Sequence, residues 1–350
     1  MRAALIGLGM VADTHVEAIA ATEGRIGLAG VCARHPDRAA RFAQRVAPTL
    51  QSVPQVYVSA AEIAADPEVD FVILATPPDA RTEAVAILAA AGKPILMEKP
   101  LERTAAAAIA LVEICERAGV PLGIVLQHRM RPSAHKLSAL LAEGALGDLG
   151  LVEIAVPWWR PQSYYDQPGR GSYARDGGGV LISQAIHTLD LALTLTGPVA
   201  RVQAMARTTR LHRMEAEDTV TAGLEFANGA VGSLFVTTAS HPGAAETITL
   251  HGTKGSARLI SGRLELTWRD GTTETIGQAS GTGGGADPMA FTHAWHQAIL
   301  EDFAAAITEG RPPAISGRAA LPVHHLIEAL ATSSAESRAI DLAIDQPERP

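Results

Sequence analysis

Lysine is scarce in this chain, with four among 350 residues against 25 arginines. Where arginine carries nearly all the positive charge, each remaining lysine raises the question of whether an amine, and not merely a cation, is needed. Lys99 lies in Met97-Glu98-Lys99-Pro100-Leu101, directly after a short apolar run. Pro100 restricts Lys99 to an extended conformation and so fixes where its side chain points. An ammonium held there donates a hydrogen bond to a hydroxyl or carbonyl oxygen and stabilises an alkoxide. The plain alternative is a surface lysine with a solvated head. Further along, Ser183, His187 and Asp190 follow the run Gly177-Gly178-Gly179 at spacings of four and three, which places them on one face of a helix. A lone helical histidine is more often packed than reactive, so spacing alone leaves His187 open.

Near the start, Gly7-Leu8-Gly9-Met10-Val11-Ala12 follows an apolar run and opens a helical stretch. This is the G-x-G-x-x-G/A pattern in the context that gives it meaning. Gly7 permits a tight turn, Gly9 lets a pyrophosphate approach the backbone, and a small residue at position 12 lets helix and strand pack closely. The helix N-terminus, with Met10 and Val11 in the turn, stabilises the phosphate charge. A nicotinamide dinucleotide, NAD or NADP, is the expected cofactor. The end of the second strand normally carries an acid for the adenosine ribose, but Cys32-Ala33-Arg34-His35-Pro36-Asp37-Arg38 has none there. Arg34, with Arg38, is suited to a 2′-phosphate, so the expectation leans to NADP(H). The alternative stacks Arg34 on the adenine and leaves Arg38 a solvated helix residue.

Tryptophan and tyrosine total eight, and five of them (Trp158, Trp159, Tyr164, Tyr165 and Tyr173) fall within sixteen residues. Arg160 and Gln162 are interleaved with them. Aromatic faces pack on the C–H surfaces of sugar rings, while tyrosine, glutamine and arginine tips hydrogen-bond hydroxyls. Trp158, Arg160, Tyr164 and Tyr165 are therefore expected to line a pocket for a carbohydrate or cyclitol. A domain or subunit interface is the competing reading, above all for Trp158 and Tyr173.

Two textures of chain must position these groups. Over the first 125 residues, apolar runs at Arg2–Ile6, Ile26–Cys32, Asp70–Ala75, Pro94–Met97 and Leu122–Val125 alternate with Ala- and Leu-rich helical stretches. That is the pattern of βαβ units, so an N-terminal Rossmann, doubly wound parallel sheet is expected over 1–125. Over 126–350 the spacing predicts an α+β domain with a large, open, mostly antiparallel sheet. Helices are expected at Ser133–Glu143, Ile182–Thr196, Met289–Glu309 and Ala319–Glu336, strands from Leu151–Pro157 to Leu264–Trp268, and a glycine-rich loop over Thr275–Pro288. The fold class is α/β.

A formal charge of −8, with 47% hydrophobic and 19% charged residues, describes a globular chain without the basic stripe that nucleic acid needs. No apolar run is long enough for a membrane span. The early glycines read against an export leader, and two cysteines read as neither a disulfide framework nor a zinc set, so a cytoplasmic location is expected. No metal is expected, because the twelve histidines show no metal-binding spacing with acids. An open sheet face in the second half points to a homodimer or homotetramer.

Ala75-Thr76-Pro77-Pro78-Asp79, Ala91-Gly92-Lys93-Pro94, the Glu98-Lys99-Pro100 segment and Gly177 through Asp190 together resemble the glucose–fructose oxidoreductase/inositol dehydrogenase (Gfo/Idh/MocA) family, as does Gly310-Arg311-Pro312-Pro313. The resemblance covers nearly the whole chain. It implies an enzyme, an NAD(P)-dependent oxidoreductase moving hydride between the cofactor and a secondary alcohol or ketone of a sugar, sugar derivative or cyclitol. It further implies Lys99 and His187 as proton-transfer residues, and Thr76, Pro77, Glu98, Lys99 and Gln127 at the cofactor, Glu98 on the nicotinamide ribose. Arg129, Ser183, Gln184, His187 and Lys99 are implied at the substrate, with an interdomain salt bridge as the other reading of Arg129. Two positions depart from the pattern. Ser183 stands where many members have Asp, which removes a carboxylate partner of the histidine; Arg81 stands where the family often has His. Two other function classes compete: a non-catalytic dinucleotide-binding regulator, and a cofactor-assisted glycosidase on the same fold.

Overall fold

The computed structural model describes residues 1–343 except Ser280 and Thr282, and the chain forms two compact units. The first contains Met1–Gln127 and Thr292–Leu321, the second His128–Phe291 and Pro322 onward. The expected division at residue 125 is corrected in one respect: the segment from Thr292 to Leu321 belongs with the N-terminal unit.

In the first unit, β1 (Arg2–Ile6), β2 (Gly27–Cys32), β3 (Gln55–Tyr57), β4 (Phe71–Leu74), β5 (Ile95–Glu98) and β6 (Leu122–Val125) form one parallel sheet in the order β3-β2-β1-β4-β5-β6. Strands β4, β5 and β6 are buried at every position, as a sheet covered on both faces requires. Between the strands lie α1 (Ala12–Ala20), α2 (Pro36–Leu50), α3 (Ala60–Ala65), α4 (Thr82–Ala90) and α5 (Ala105–Arg117). Side-chain caps start two of them: Ser59 Oγ accepts from the Glu62 amide and Thr104 Oγ1 from the Ala107 amide, 3.2 Å each. The strand order reverses between β1 and β4, the place where such sheets take ligands at their carboxyl ends. Strand β3 and helix α3 were not expected; β3 is a three-residue edge strand, too short for a periodic signal.

The second unit is built on nine strands: β7 (Leu149–Pro157), β8 (Val199–Arg207), β9 (Thr219–Phe226), β10 (Val231–Thr237), β11 (Thr247–Gly252), β12 (Gly255–Ile260), β13 (Arg263–Trp268), β14 (Thr273–Ile276) and β15 (Ile340–Asp341). Their order is β14-β13-β12-β11-β7-β10-β9-β8-β15, and among the described residues only β7 and β10 pair in parallel. Alternation divides the faces: Val152, Ile154, Val156, Leu234, Val236, Ile248 and Leu250 are buried, while Leu151, Met205, Val231 and Phe235 are exposed. The buried face is covered by α6 (Pro132–Ala142) and α8 (Ile186–Thr196). A short helix, α7 (Gln162–Tyr165), lies in the aromatic segment.

Three expected boundaries move. Thr275 and Ile276, expected in a loop, pair with β13 as the end of β14. The helix expected from Met289 begins at Ala294 as α9 (Ala294–Glu309) and belongs to the first unit, where Phe303 packs edge-on against Phe71 with centroids 5.6 Å apart. The helix expected over Ile182–Thr196 is a π-turn at Leu181–Ala185 running into α8. The last helix, α10 (Leu321–Glu336), follows a short turn at Arg318–Ala320. Among the described residues no helix is long and apolar enough to cross a membrane.

Candidate active site

In the first unit the site begins at the glycine turn. Gly7 has φ of +97°, and a Cβ there would stand 2.6 Å from the carbonyl carbon of Ala75, so both the conformation and the approach of β4 demand glycine. A Cβ on Gly9 would meet nothing within 4 Å, which leaves open space over the backbone. Helix α1 starts beside it without a side-chain cap, with Val11 at the N-cap and Met10 exposed. Two buried side-chain oxygens past the carboxyl ends of β4 and β6, Thr76 Oγ1 and Gln127 Oε1, have no hydrogen-bond partner among the described residues. Open backbone, an uncapped helix start and unsatisfied acceptors fit a dinucleotide. Arg34 is exposed past the end of β2, while Arg38 donates to the Leu8 carbonyl at 2.6 Å, which braces the glycine turn from behind. The two arginines expected at one phosphate therefore differ: Arg34 is open, Arg38 is engaged.

Lys99 is half-buried just past the end of β5, and its peptide bond to Pro100 is cis. Its neighbourhood is organised by Arg81, which the sequence marked only as a departure. Arg81 is buried and donates to the carbonyls of Thr76 at 2.9 and 2.6 Å and of Glu98 at 2.5 Å, and also to that of Pro100. One guanidinium thus ties the turn after β4 to both sides of Lys99. Burial lowers the Arg81 pKa to about 10, which leaves it charged near neutrality.

Glu98, expected on a ribose, accepts at Oε1 a 2.8 Å hydrogen bond from His15 Nε2 on α1, and His296 Nε2 on α9 stands 3.6 Å from the same oxygen. Burial alone would raise the Glu98 carboxyl, but the two histidines overcome it and hold it well below the ordinary range. Burial also lowers the His296 pKa, favouring its neutral ring. The ligand-capable atoms of these three residues lie within 4.8 Å of one another. Sequence spacing could not show such a group, because its members are separated by 83 and by nearly 200 positions.

In the second unit, Glu217 shapes the entry to the His187 helix. Its carboxylate accepts from the amides of Gly179 at 3.2 Å and Leu181 at 3.1 Å, and its carbonyl accepts from Val180 at 2.9 Å. A Cβ on Gly179 would fall 1.8 Å from that carbonyl oxygen, so only glycine fits. The chain then makes the π-turn, a feature often found where side chains must be re-aimed. Ser183 and Gln184 lie in it and His187 just beyond, so their spacing is not that of a regular α-helix. The His187 ring is tilted over that of His128, centroids 5.1 Å apart. Arg129, expected at the substrate, forms a two-pronged pair with Asp190, Nε to Oδ2 at 2.7 Å and Nη2 to Oδ1 at 2.5 Å. Both residues belong to the second unit, so this is not the interdomain salt bridge that was the alternative expectation for Arg129. Burial raises the Asp190 carboxyl.

The aromatic segment divides in two. Trp158 is buried and donates from Nε1 to Glu246 Oε2 at 3.3 Å, and Glu246 is held by Arg131 at 2.8 Å. Arg160 is buried and donates to the carbonyls of Trp159 at 2.8 Å and Gly285 at 2.6 Å. The Tyr165 hydroxyl bonds Thr238 Oγ1 at 2.5 Å, and its ring lies 4.8 Å from that of His212, which is itself held by Asp218 at 2.8 Å. Trp158 Nε1, Arg160 Nη1 and the Tyr165 hydroxyl are engaged within the unit, while Arg160 Nε is buried without a hydrogen-bond partner among the described residues. Tyr164 is different: half-buried, it accepts from Gln184 Nε2 at 3.3 Å and has Arg170 over its ring at 5.1 Å. Tyr164 and Gln184 thereby link the aromatic segment to the His187 helix. His15, His296 and Glu217 carry no local motif, and only the partners they meet in space reveal them; Arg81 stood out in the sequence as a departure from the family pattern, without its role.

Comparison with known proteins gives two family matches. Residues 1–125 match the oxidoreductase family NAD-binding Rossmann fold of GFO/IDH/MocA proteins, and residues 134–258 match the GFO/IDH/MocA C-terminal domain. D-apiose dehydrogenase of Rhizobium rhizogenes is 30% identical over 361 residues, covering 98% of this chain and 97% of that protein. Trans-1,2-dihydrobenzene-1,2-diol dehydrogenase of Mus musculus is 27% identical over 265 residues, covering 74% of each. Among solved structures, the WlbA dehydrogenase from Bordetella pertussis, in complex with NADH and UDP-GlcNAcA, is 28% identical with a TM-score of 0.81 and 99% coverage of both chains.

Proposed function

The chain belongs to the GFO/IDH/MocA oxidoreductase family, and from that premise we propose that it oxidises a secondary alcohol of a sugar, sugar derivative or cyclitol, or reduces the matching ketone. Its first unit is the NAD-binding Rossmann domain of a nicotinamide-dependent dehydrogenase. The observation that carries the substrate reading is Tyr164 bonded to Gln184, which joins an aromatic, polar segment to the helix of His187. Relatives across the full length act on or bind carbohydrate, as their names state, and this supports the same class here.

Gly7, Gly9, Met10, Val11, Thr76, Pro77 and Gln127 would hold the cofactor, which when bound supplies the site that accepts or returns hydride. Lys99 donates a hydrogen bond to the reacting oxygen and stabilises its negative charge as the alcohol is oxidised. His187 takes the hydroxyl proton in oxidation and returns it in reduction. Ser183 supplies no carboxylate at its position, so proton transfer is assigned to Lys99 and His187. The exposed, unengaged Arg34 supports a preference for NADP(H). Leu151 and Val231, paired across β7 and β10 on the outer sheet face, support self-association of two or four copies. Two buried free thiols, Cys32 and Cys115, support a reducing cytoplasm.

A panel of aldoses, uronates, inositols and keto-sugars with each cofactor, followed at the nicotinamide absorbance band, tests the proposal. Turnover on at least one member is expected, with Lys99→Ala and His187→Ala each slowing it by about a hundredfold or more. Near-normal turnover in both variants would sink the assignment. Release of aglycone from a chromogenic glycoside without net cofactor reduction would favour the glycosidase reading.

A further inference from the structure

We propose that His15, supported by His296, is a positioning residue that fixes the Glu98 carboxylate for the cofactor. The inference rests on the cofactor reading above and adds to it two residues that no motif assigns. Three separate elements converge: His15 one turn into α1, Glu98 at the last position of β5, and His296 at the start of α9. All three are buried, and the two imidazoles meet edge to face at 5.2 Å and 85°.

Proton placement follows from the partners. His15 Nδ1 is buried and has no hydrogen-bond partner among the described residues, so a proton there would be an unsatisfied donor in the core. The ring proton therefore sits on Nε2 and points at Glu98 Oε1, 2.8 Å away. His296 Nε2 adds a second positive N–H edge toward the same oxygen from 3.6 Å, too long for a hydrogen bond but short enough to favour the carboxylate. With Oε1 pinned, the carboxylate cannot rotate about its last torsion. Oε2 takes part in none of the described hydrogen bonds and remains the acceptor for a hydroxyl of the nicotinamide ribose. Arg81 holds the Glu98 carbonyl at 2.5 Å, so backbone and side chain are fixed independently. A second reading of the same atoms is coordination of a divalent ion, for which two neutral imidazoles and a carboxylate are suitable donors. The 2.8 Å separation is that of a charge-assisted hydrogen bond and favours the paired arrangement.

Two measurements on the full chain test this. Tautomer-sensitive nitrogen NMR of labelled histidine, on the protein alone, is expected to place the His15 proton on Nε2; a proton on Nδ1 overturns the proposal. Fluorescence titration with NADH and NADPH then compares wild type, His15→Leu and His15→Gln. Loss of the donor is expected to weaken the preferred cofactor by about tenfold, the scale of one charge-assisted hydrogen bond, while glutamine, which keeps an N–H of similar reach, restores most of it. A folded His15→Leu protein with unchanged cofactor affinity overturns the proposal, and so does a stoichiometric metal in the purified protein that His15→Leu loses. If wild type binds neither cofactor, the proposed function fails as well, which separates that failure from loss in the variant alone.

Discussion

Arg81 Nη1 lies 2.5 Å from the carbonyl oxygen of Glu98, and its other nitrogens reach the Thr76 carbonyl at 2.6 and 2.9 Å. A single buried guanidinium thus supplies donors to backbone acceptors on two strand ends of the parallel sheet. Arg81→Ala leaves those carbonyls buried and unsatisfied, at a cost of about 3 kcal/mol or more. Urea unfolding is expected to register that loss. Arg81→Lys keeps the charge but not the fork, so it should recover only part of the stability, with kcat reduced more than substrate KM rises. Full recovery by lysine would show that charge alone matters.

Arg34 and Arg38 should separate by cofactor. Arg34 is exposed, so Arg34→Ala is expected to weaken NADPH by about tenfold and leave NADH nearly unchanged. Arg38 braces the Leu8 carbonyl, so Arg38→Ala should weaken both cofactors to a similar degree. Titrations with the two reduced cofactors decide, and an Arg34→Ala protein with unaltered NADPH affinity would remove the basis for that preference.

Acid should destabilise the first unit in two stages. His296 has a folded pKa below its unfolded 6.5, so the unfolded chain gains a proton first as pH falls through that value. Glu98 has a folded pKa well below 4.5, so the same sign applies again below pH 4.5. Each group thus contributes stability that is full above its unfolded pKa and lost on acidification, at up to about 1.4 kcal/mol per pH unit. Chemical denaturation from pH 8 to 4 is expected to show the first decline beginning near pH 6.5. In His296→Gln that first decline should be absent.

Gly179 has no room for a side chain, because the Glu217 carbonyl lies 1.8 Å from where a Cβ would be. Gly179→Ala must open the turn that starts the π-turn and α8. The expected result is a fall in kcat of at least about tenfold, larger than any change in cofactor affinity, because the second unit carries His187 while the Rossmann unit is untouched. Equal losses in kcat and cofactor binding would point to general unfolding instead.

Much of the Rossmann unit was legible in the chain itself. Buried parallel strands read as unbroken apolar runs, and the glycine turn is a local conformation that a few adjacent residues dictate; Arg2–Ile6 and Leu122–Val125 match their expected strands. Short strand-like runs joined by tight turns likewise announced the antiparallel sheet. Short edge pieces such as Gln55–Tyr57 stayed hidden, since three residues hold no period.

The site was legible only in part. Residue type and spacing singled out Lys99 and the aromatic segment, because glycine, proline and lysine act through their immediate neighbours, and the family resemblance singled out His187. What those side chains touch depended on contacts between positions far apart in the chain, which no local pattern encodes. Folding engaged Trp158, Arg160 and Tyr165 with partners inside the second unit, turned Arg129 onto Asp190, and gave Glu98 two histidines from opposite ends of the sequence. Buried polar atoms must find partners wherever the fold supplies them, and only the tertiary structure determined which partners those were.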